Sequence, residues 1–140
     1  MRNITHIIIH CSDSVFGDAE LIDSWHKENG WSSIGYHFVI LNGFPKNSKD
    51  YHNYYDGFIE YGRDICLKGA HAKGWNSNSI GICLIGISKF TENQMDTLIY
   101  KIKNLQAKYK IPKKNVIGHY EVDDSKTCPN LDMNKIRAQL

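Results

Sequence analysis

Residues 4 to 11 read Ile-Thr-His-Ile-Ile-Ile-His-Cys, a β-branched run short enough to be a strand and apolar enough to be a buried one. A second run, Ser79-Ile80-Gly81-Ile82-Cys83-Leu84-Ile85, has the nearly continuous apolar character of a central strand. The segments around these two alternate in type. Asp18 offers an N-cap for a helix over Ala19 to Asn29 that Gly30 would end, with Leu21, Ile22 and Trp25 facing inward. Gly35 to Leu41 alternates as a strand and stops at the turn signal Asn42-Gly43. The polar, tyrosine-rich stretch Phe44 to Tyr55 reads as a long loop before a short strand over Phe58 to Tyr61. Thr91-Glu92-Asn93-Gln94 has the form of a capping box, and Met95, Leu98, Ile99, Ile102 and Leu105 follow at helical spacing until Ile111-Pro112 closes the helix. Asn115 to His119 is then a short strand, and Asp132 to Leu140 a terminal helix. The order β-α-β-β-β-α-β-α predicts an α/β fold, a single domain with a central mixed β-sheet flanked by helices.

Composition narrows the function classes. A chain of 140 residues can bury one core without staples. Its hydrophobic fraction of 41% and charged fraction of 23% are ordinary for a globular protein and argue against disorder. A formal charge of +2 provides none of the electrostatic footprint of a nucleic-acid binder, so no such partner is expected. No segment approaches the length that spans a bilayer, so no membrane insertion is expected either. The apolar run at the N-terminus is too short for a signal peptide, which predicts a protein that is cytoplasmic as synthesised. Cys11, Cys66, Cys83 and Cys128 lie far apart without a C-x-x-C pair, which in a reducing compartment argues against a disulfide framework.

The seven histidines separate by position. His26, on the first helix, and His52, in the polar loop, read as surface residues. His10 ends an apolar strand and shares a face with His6 and Ile8, while Cys11 points the other way, so His10 and Cys11 do not readily grip one metal ion. Cys11, Cys66 and Cys83 read as small core residues. His119 also ends a strand, and Cys128 follows nine positions later, just before a proline. If the strands of His10 and His119 are neighbours, two imidazoles and one thiolate converge. Three protein ligands leave zinc a fourth position for water, the arrangement of a catalytic site. From spacing alone, a satisfied buried histidine and a buried free cysteine explain the pattern equally well, because no short zinc signature is present.

Four stretches carry a family likeness: I-I-I-H-C-S at Ile7 to Ser12, G-Y-H-F-V-I at Gly35 to Ile40, the run from Gly69 to Gly86 beginning G-A-H-A-K-G-W-N, and G-H-Y-E-V with K-T-C-P near the end. On these the sequence resembles the zinc-dependent N-acetylmuramoyl-L-alanine amidases found as phage lysozymes and in peptidoglycan recognition proteins. The resemblance implies one catalytic zinc ion held by His10, His119 and Cys128, with Tyr36 and Lys126 as catalytic residues. It implies a substrate cleft lined by His71, with Trp75 and Asn76 in the same segment as candidate contacts to glycan or stem peptide. Trp75 is equally readable as core, and His71 is the rival for a ligand place. The reaction implied is hydrolysis of the amide between N-acetylmuramic acid and L-alanine in peptidoglycan, by a monomeric phage or prophage endolysin that reaches the cell wall after release.

The sequence departs from the family pattern in three places. Tyr120-Glu121 stands where relatives often carry arginine and aspartate, Phe44 to Tyr55 is long and is expected to shape a rim of the cleft, and no appended wall-binding domain is expected beside the catalytic domain at 1–140. Two other readings remain at this level: a recognition module that binds peptidoglycan without cutting it, and a regulatory polymerase-binding protein.

Overall fold

The structure, a computed structural model, describes residues 2–140. The two apolar runs are β1 (His6–Cys11) and β4 (Ser79–Leu84), which pair in parallel at the centre of the sheet. With β2 (Phe38–Asn42), β3 (Asp56–Tyr61) and β5 (Val116–Gly118) they form five strands in the order β3-β2-β4-β1-β5. Only β3, at one edge, runs antiparallel. The expected mixed sheet is therefore present, with α1 (Ala19–Glu28), α2 (Glu92–Tyr109) and α3 (Met133–Arg137) packed on it.

The alternation along each strand divides the core in two. On one face Ile7, Ile9, Ile40, Ile80 and Ile82 meet Leu98, Ile102 and Leu105 of α2 and Met133 and Ile136 of α3. On the other, Val39, Leu41, Cys83 and Ile85 meet Ile22 of α1. Each such side chain, fully buried, contributes about 1.5–3 kcal/mol of hydrophobic stabilisation. The start of α2 is held as its sequence predicts: Gln94 N–H donates to Thr91 Oγ1 at 3.0 Å and Thr91 N–H to Gln94 Oε1 at 2.9 Å. The same Gln94 amide donates to the carbonyls of Ile40 and Ile85, so a fully buried polar group ties the helix to the sheet without leaving its donors unmet.

Boundaries shift where loops compete for backbone partners. β2 starts at Phe38 rather than Gly35, because Gly35 and Tyr36 offer their carbonyls to Ala70 and Arg63 instead. A side chain at Gly35 would collide with the Ala70 carbonyl. β5 ends at Gly118, and His119 opens a 3₁₀ turn over His119–Glu121. The last helix is one short piece capped by Asp132, whose carboxylate accepts from Asn134 N. Cys83 is buried in the core as expected. Cys66 is exposed instead, in a turn formed by its own N–H donating to Asp64 Oδ1.

Candidate metal and active site

Parallel pairing of β1 with β5 sets Ile9 opposite Gly118, so the next residue along each chain, His10 on β1 and His119 just past the end of β5, stands side by side at the carboxyl ends. Their ring centroids are 4.5 Å apart. The loop after His119 returns Cys128 to the same place, with Tyr120 N–H donating to the Cys128 carbonyl and Cys11 N–H donating to Cys128 Sγ, both at 3.0 Å. One ligand atom from each of His10, His119 and Cys128 lies within 4.8 Å of the others. Crevices outside the carboxyl ends of parallel strands are where α/β sheets usually bind ligands.

The donors have the right chemistry for a cation. Burial, followed by the charges of His71, His119 and Lys126, drives the His10 imidazole well below its ordinary range. Burial lowers His119 too, with Asp123 opposing and Lys126 assisting. Both rings are neutral at pH 7, which a metal ligand must be. Cys11 is buried as expected, yet it abuts Cys128 rather than the apolar core. The two thiols interact side by side, so the first to ionise is pulled below the usual thiol range and the second is pushed above it.

A cleft of about 730 Å³ opens over this cluster, and His10, Tyr36, His71, Asn76, His119, Lys126 and Cys128 all line it. Trp75 does not; its ring stands edge-on to His6 at 5.0 Å, away from the cleft lining. Asn76 holds its own segment in shape, its Oδ1 accepting from the N–H groups of His71 and Ala72 at 2.8 and 2.9 Å. His71 sits behind His10, with Nδ1 2.8 Å from His10 Nε2 and Nε2 3.2 Å from Ser79 Oγ. With both ring nitrogens engaged, it is not placed as a rival ligand. Tyr36 lies just before β2, its ring 5.0 Å from that of His10. Burial, then the nearby thiols of Cys83, Cys128 and Cys11, push its phenol well above the usual range and keep it an O–H donor. Lys126 is exposed at the rim. Ser125 and Thr127 line the cleft as well, so a wrapping loop brings Lys126 beside Cys128.

Several residues of the site escape a reading by sequence pattern. Trp31 lines the cleft with its ring tilted against that of His26 at 4.5 Å, and His26 is half-buried, not a surface residue, because its Nδ1 also accepts from Gly35 N at 3.0 Å. An aromatic residue directly after the helix-ending Gly30 was the available signal. His52 is exposed as expected. Asp123 Oδ2 lies 3.9 Å from His119 Nε2. His37 is buried between β2 and β4, where Gly81 N–H donates to its Nδ1 and its Nε2–H donates to the Leu67 carbonyl. Burial is the main cause that lowers its pKa to about 4.

The loop over residues 44–55 supplies nothing to the cleft lining, contrary to expectation. It is tied instead to the start of α1, through Lys46 Nζ on Asp18 Oδ2 at 2.7 Å and Gly17 N–H on the Phe44 carbonyl at 2.8 Å. Tyr120-Glu121 proves structural. The Glu121 carboxylate accepts from Gly118 N and pairs with both terminal nitrogens of Arg137, and Tyr120 packs against the core.

The chain is similar to known proteins over most of its length. The family described as N-acetylmuramoyl-L-alanine amidase matches residues 1–131. The endolysin of Escherichia phage T7 is 37% identical over 140 aligned residues, covering 92% of this chain and 82% of the phage protein. Among solved structures, the N-acetylmuramoyl-L-alanine amidase LysC from Clostridium intestinale URNW superposes with a TM-score of 0.83 at 31% identity, over 99% of this chain and 85% of that one. Drosophila PGRP-LB superposes with a TM-score of 0.70 at 27% identity, over 92% of this chain and 76% of that one.

Proposed function

The chain belongs to the N-acetylmuramoyl-L-alanine amidase family, and from that membership we propose that its amide hydrolysis depends on a single zinc ion held by His10, His119 and Cys128. It is a peptidoglycan amidase of the phage-endolysin type. The observation that carries the zinc reading is the convergence of two imidazoles and one thiol, whose ligand atoms all lie within 4.8 Å of one another. Zinc held by these three residues would supply a water activated near neutral pH and a Lewis acid for the carbonyl.

The protein's own groups supply the rest. The bond cut joins the lactyl group of N-acetylmuramic acid to L-alanine, and its carbonyl oxygen gains negative charge as the carbon becomes tetrahedral. The Lys126 ammonium and the Tyr36 hydroxyl, both on the cleft lining, are the donors assigned to that oxygen. Asn76 and Trp31 are assigned to the substrate along the wall. The presence of Cys128 beside the two imidazoles favours a cutting enzyme over a recognition module that only binds.

We assign residues 1–140 to one catalytic domain acting as a monomer, made in a host cytoplasm and admitted to the wall by a separate pore-forming protein. No helix among the described residues is long and apolar enough to cross a membrane. Digestion of purified peptidoglycan tests the chemistry. The expected products carry new L-alanine amino termini and no new reducing sugar ends, and a chelator abolishes their release. Activity that persists in chelator after metal content has fallen to zero would overturn the zinc assignment.

A further inference from the structure

Behind His10 lies a chain of hydrogen bonds whose direction is fixed at its far end. The Trp75 carbonyl can only accept, so Ser79 Oγ, 2.7 Å away, donates its single proton there. Ser79 Oγ must then accept from His71 Nε2 at 3.2 Å. His71 is only 8% exposed, and its ring nitrogens meet His10 Nε2 and Ser79 Oγ with no carboxylate to offset a buried cation, so the ring carries one proton and its Nδ1 is bare. His10 Nε2, 2.8 Å from that Nδ1, is therefore the donor. The nitrogen of His10 left without a proton is Nδ1.

We propose that His71 and Ser79 are positioning residues that hold His10 in its Nε2–H tautomer and so present His10 Nδ1 to the metal. The inference rests on the reading of His10 as a zinc ligand. Metal-bound histidines generally donate their second ring nitrogen to a fixed acceptor, which sets both tautomer and ring orientation. Here that acceptor is another histidine, made directional by a serine and a backbone carbonyl. The surroundings leave it little room to move. A side chain at Gly81 would come within 2.7 Å of the His71 ring, and Asn76 Oδ1 grips the backbone on both sides of the His71 carbonyl. Ser79 itself is fully buried. The role differs from the substrate contact expected for His71.

Zinc affinity, measured by competition with a chromophoric chelator, tests the proposal without relying on turnover. His71→Ala should weaken zinc binding by about 10- to 100-fold, the usual effect of losing such a partner. His71→Asn, whose amide oxygen can take the place of Nδ1, should recover most of that loss. Ser79→Ala should fall between wild type and His71→Ala. Wild-type affinity in His71→Ala, or His71→Asn as weak as His71→Ala, would overturn the proposal. Should His71→Ala fail to fold, long-range ¹H–¹⁵N correlation on the metal-free wild-type protein decides the matter. The proposal requires His10 as the Nε2–H tautomer, and the Nδ1–H tautomer would refute it. A wild-type protein that binds no zinc would sink the metal reading itself, while the tautomer measurement would still judge the chain of hydrogen bonds.

Discussion

The two faces of the sheet are built from the same strands and do different work. The face under α2 and α3 is closed and apolar, and β1 contributes Ile7 and Ile9 to it. The opposite face is covered by α1 where Ile22, with Ala19 and Trp25, packs on Val39, Leu41, Cys83 and Ile85. Beyond that patch, β1 presents His10, and β4 presents Ser79 and the side-chain-free Gly81, to a cluster of polar groups under an open cleft. One strand thus sends alternate residues to stability and to chemistry. The consequence is that a change on one face should leave the other's property nearly untouched.

The sharpest break of that comparison comes from the closed face. Ile102→Ala should cost roughly 3 kcal/mol, because Ile102 is fully buried and the cavity is lined by fixed strands. Denaturant unfolding of the metal-free protein would read that loss, while kcat per folded molecule should stay at the wild-type value. Lys126→Met makes the reciprocal case. It should lower kcat by about 10²-fold, in line with loss of one donor to a developing oxyanion. Zinc content and unfolding midpoint should not move, since Lys126 is exposed and contributes no ligand atom.

The smallest expected effect sharpens the contrast through pH. His37, on the open face, titrates at about 4 when folded, against 6.5 when free. Its folded pKa is depressed, so below 6.5 the unfolded chain binds the proton first. Stability is therefore fully present above 6.5 and lost as pH falls towards 4. From pH 7 to pH 5 this group alone should remove about 2 kcal/mol from the metal-free protein. Protonated Nδ1 would also oppose the Gly81 N–H that donates to it. Flat stability over that interval would show that the buried histidine is not held neutral.

The closed face was the more legible of the two in the sequence. Its strands and helices follow from β-branched runs and from the spacing of Leu98, Ile102 and Leu105, because burial against a sheet imposes a regular period. The neighbouring of His10 and His119 was conditional on strand order, which no local pattern encodes; the parallel β1–β5 pairing supplies it. Spacing raised Cys128 as a candidate without deciding between a ligand and a buried free thiol, and only the family likeness pointed to Tyr36 and Lys126. Apart from His26 on α1, the misplaced residues are those governed by loops. Trp75 turned towards His6, Cys66 lay at the surface, and the 44–55 loop was drawn to Asp18 by Lys46. The partnership of His71 with His10 spans 61 positions and involves polar atoms that have no periodic signature.

Zinc stoichiometry tests the central claim most directly: elemental analysis after equilibrium dialysis of the wild-type protein beside Cys128→Ser and His119→Ala. One zinc per wild-type chain, with both variants losing the ion under the same conditions, is the predicted result. A full complement of tightly held zinc in either variant would contradict the assignment of His10, His119 and Cys128 as the metal centre.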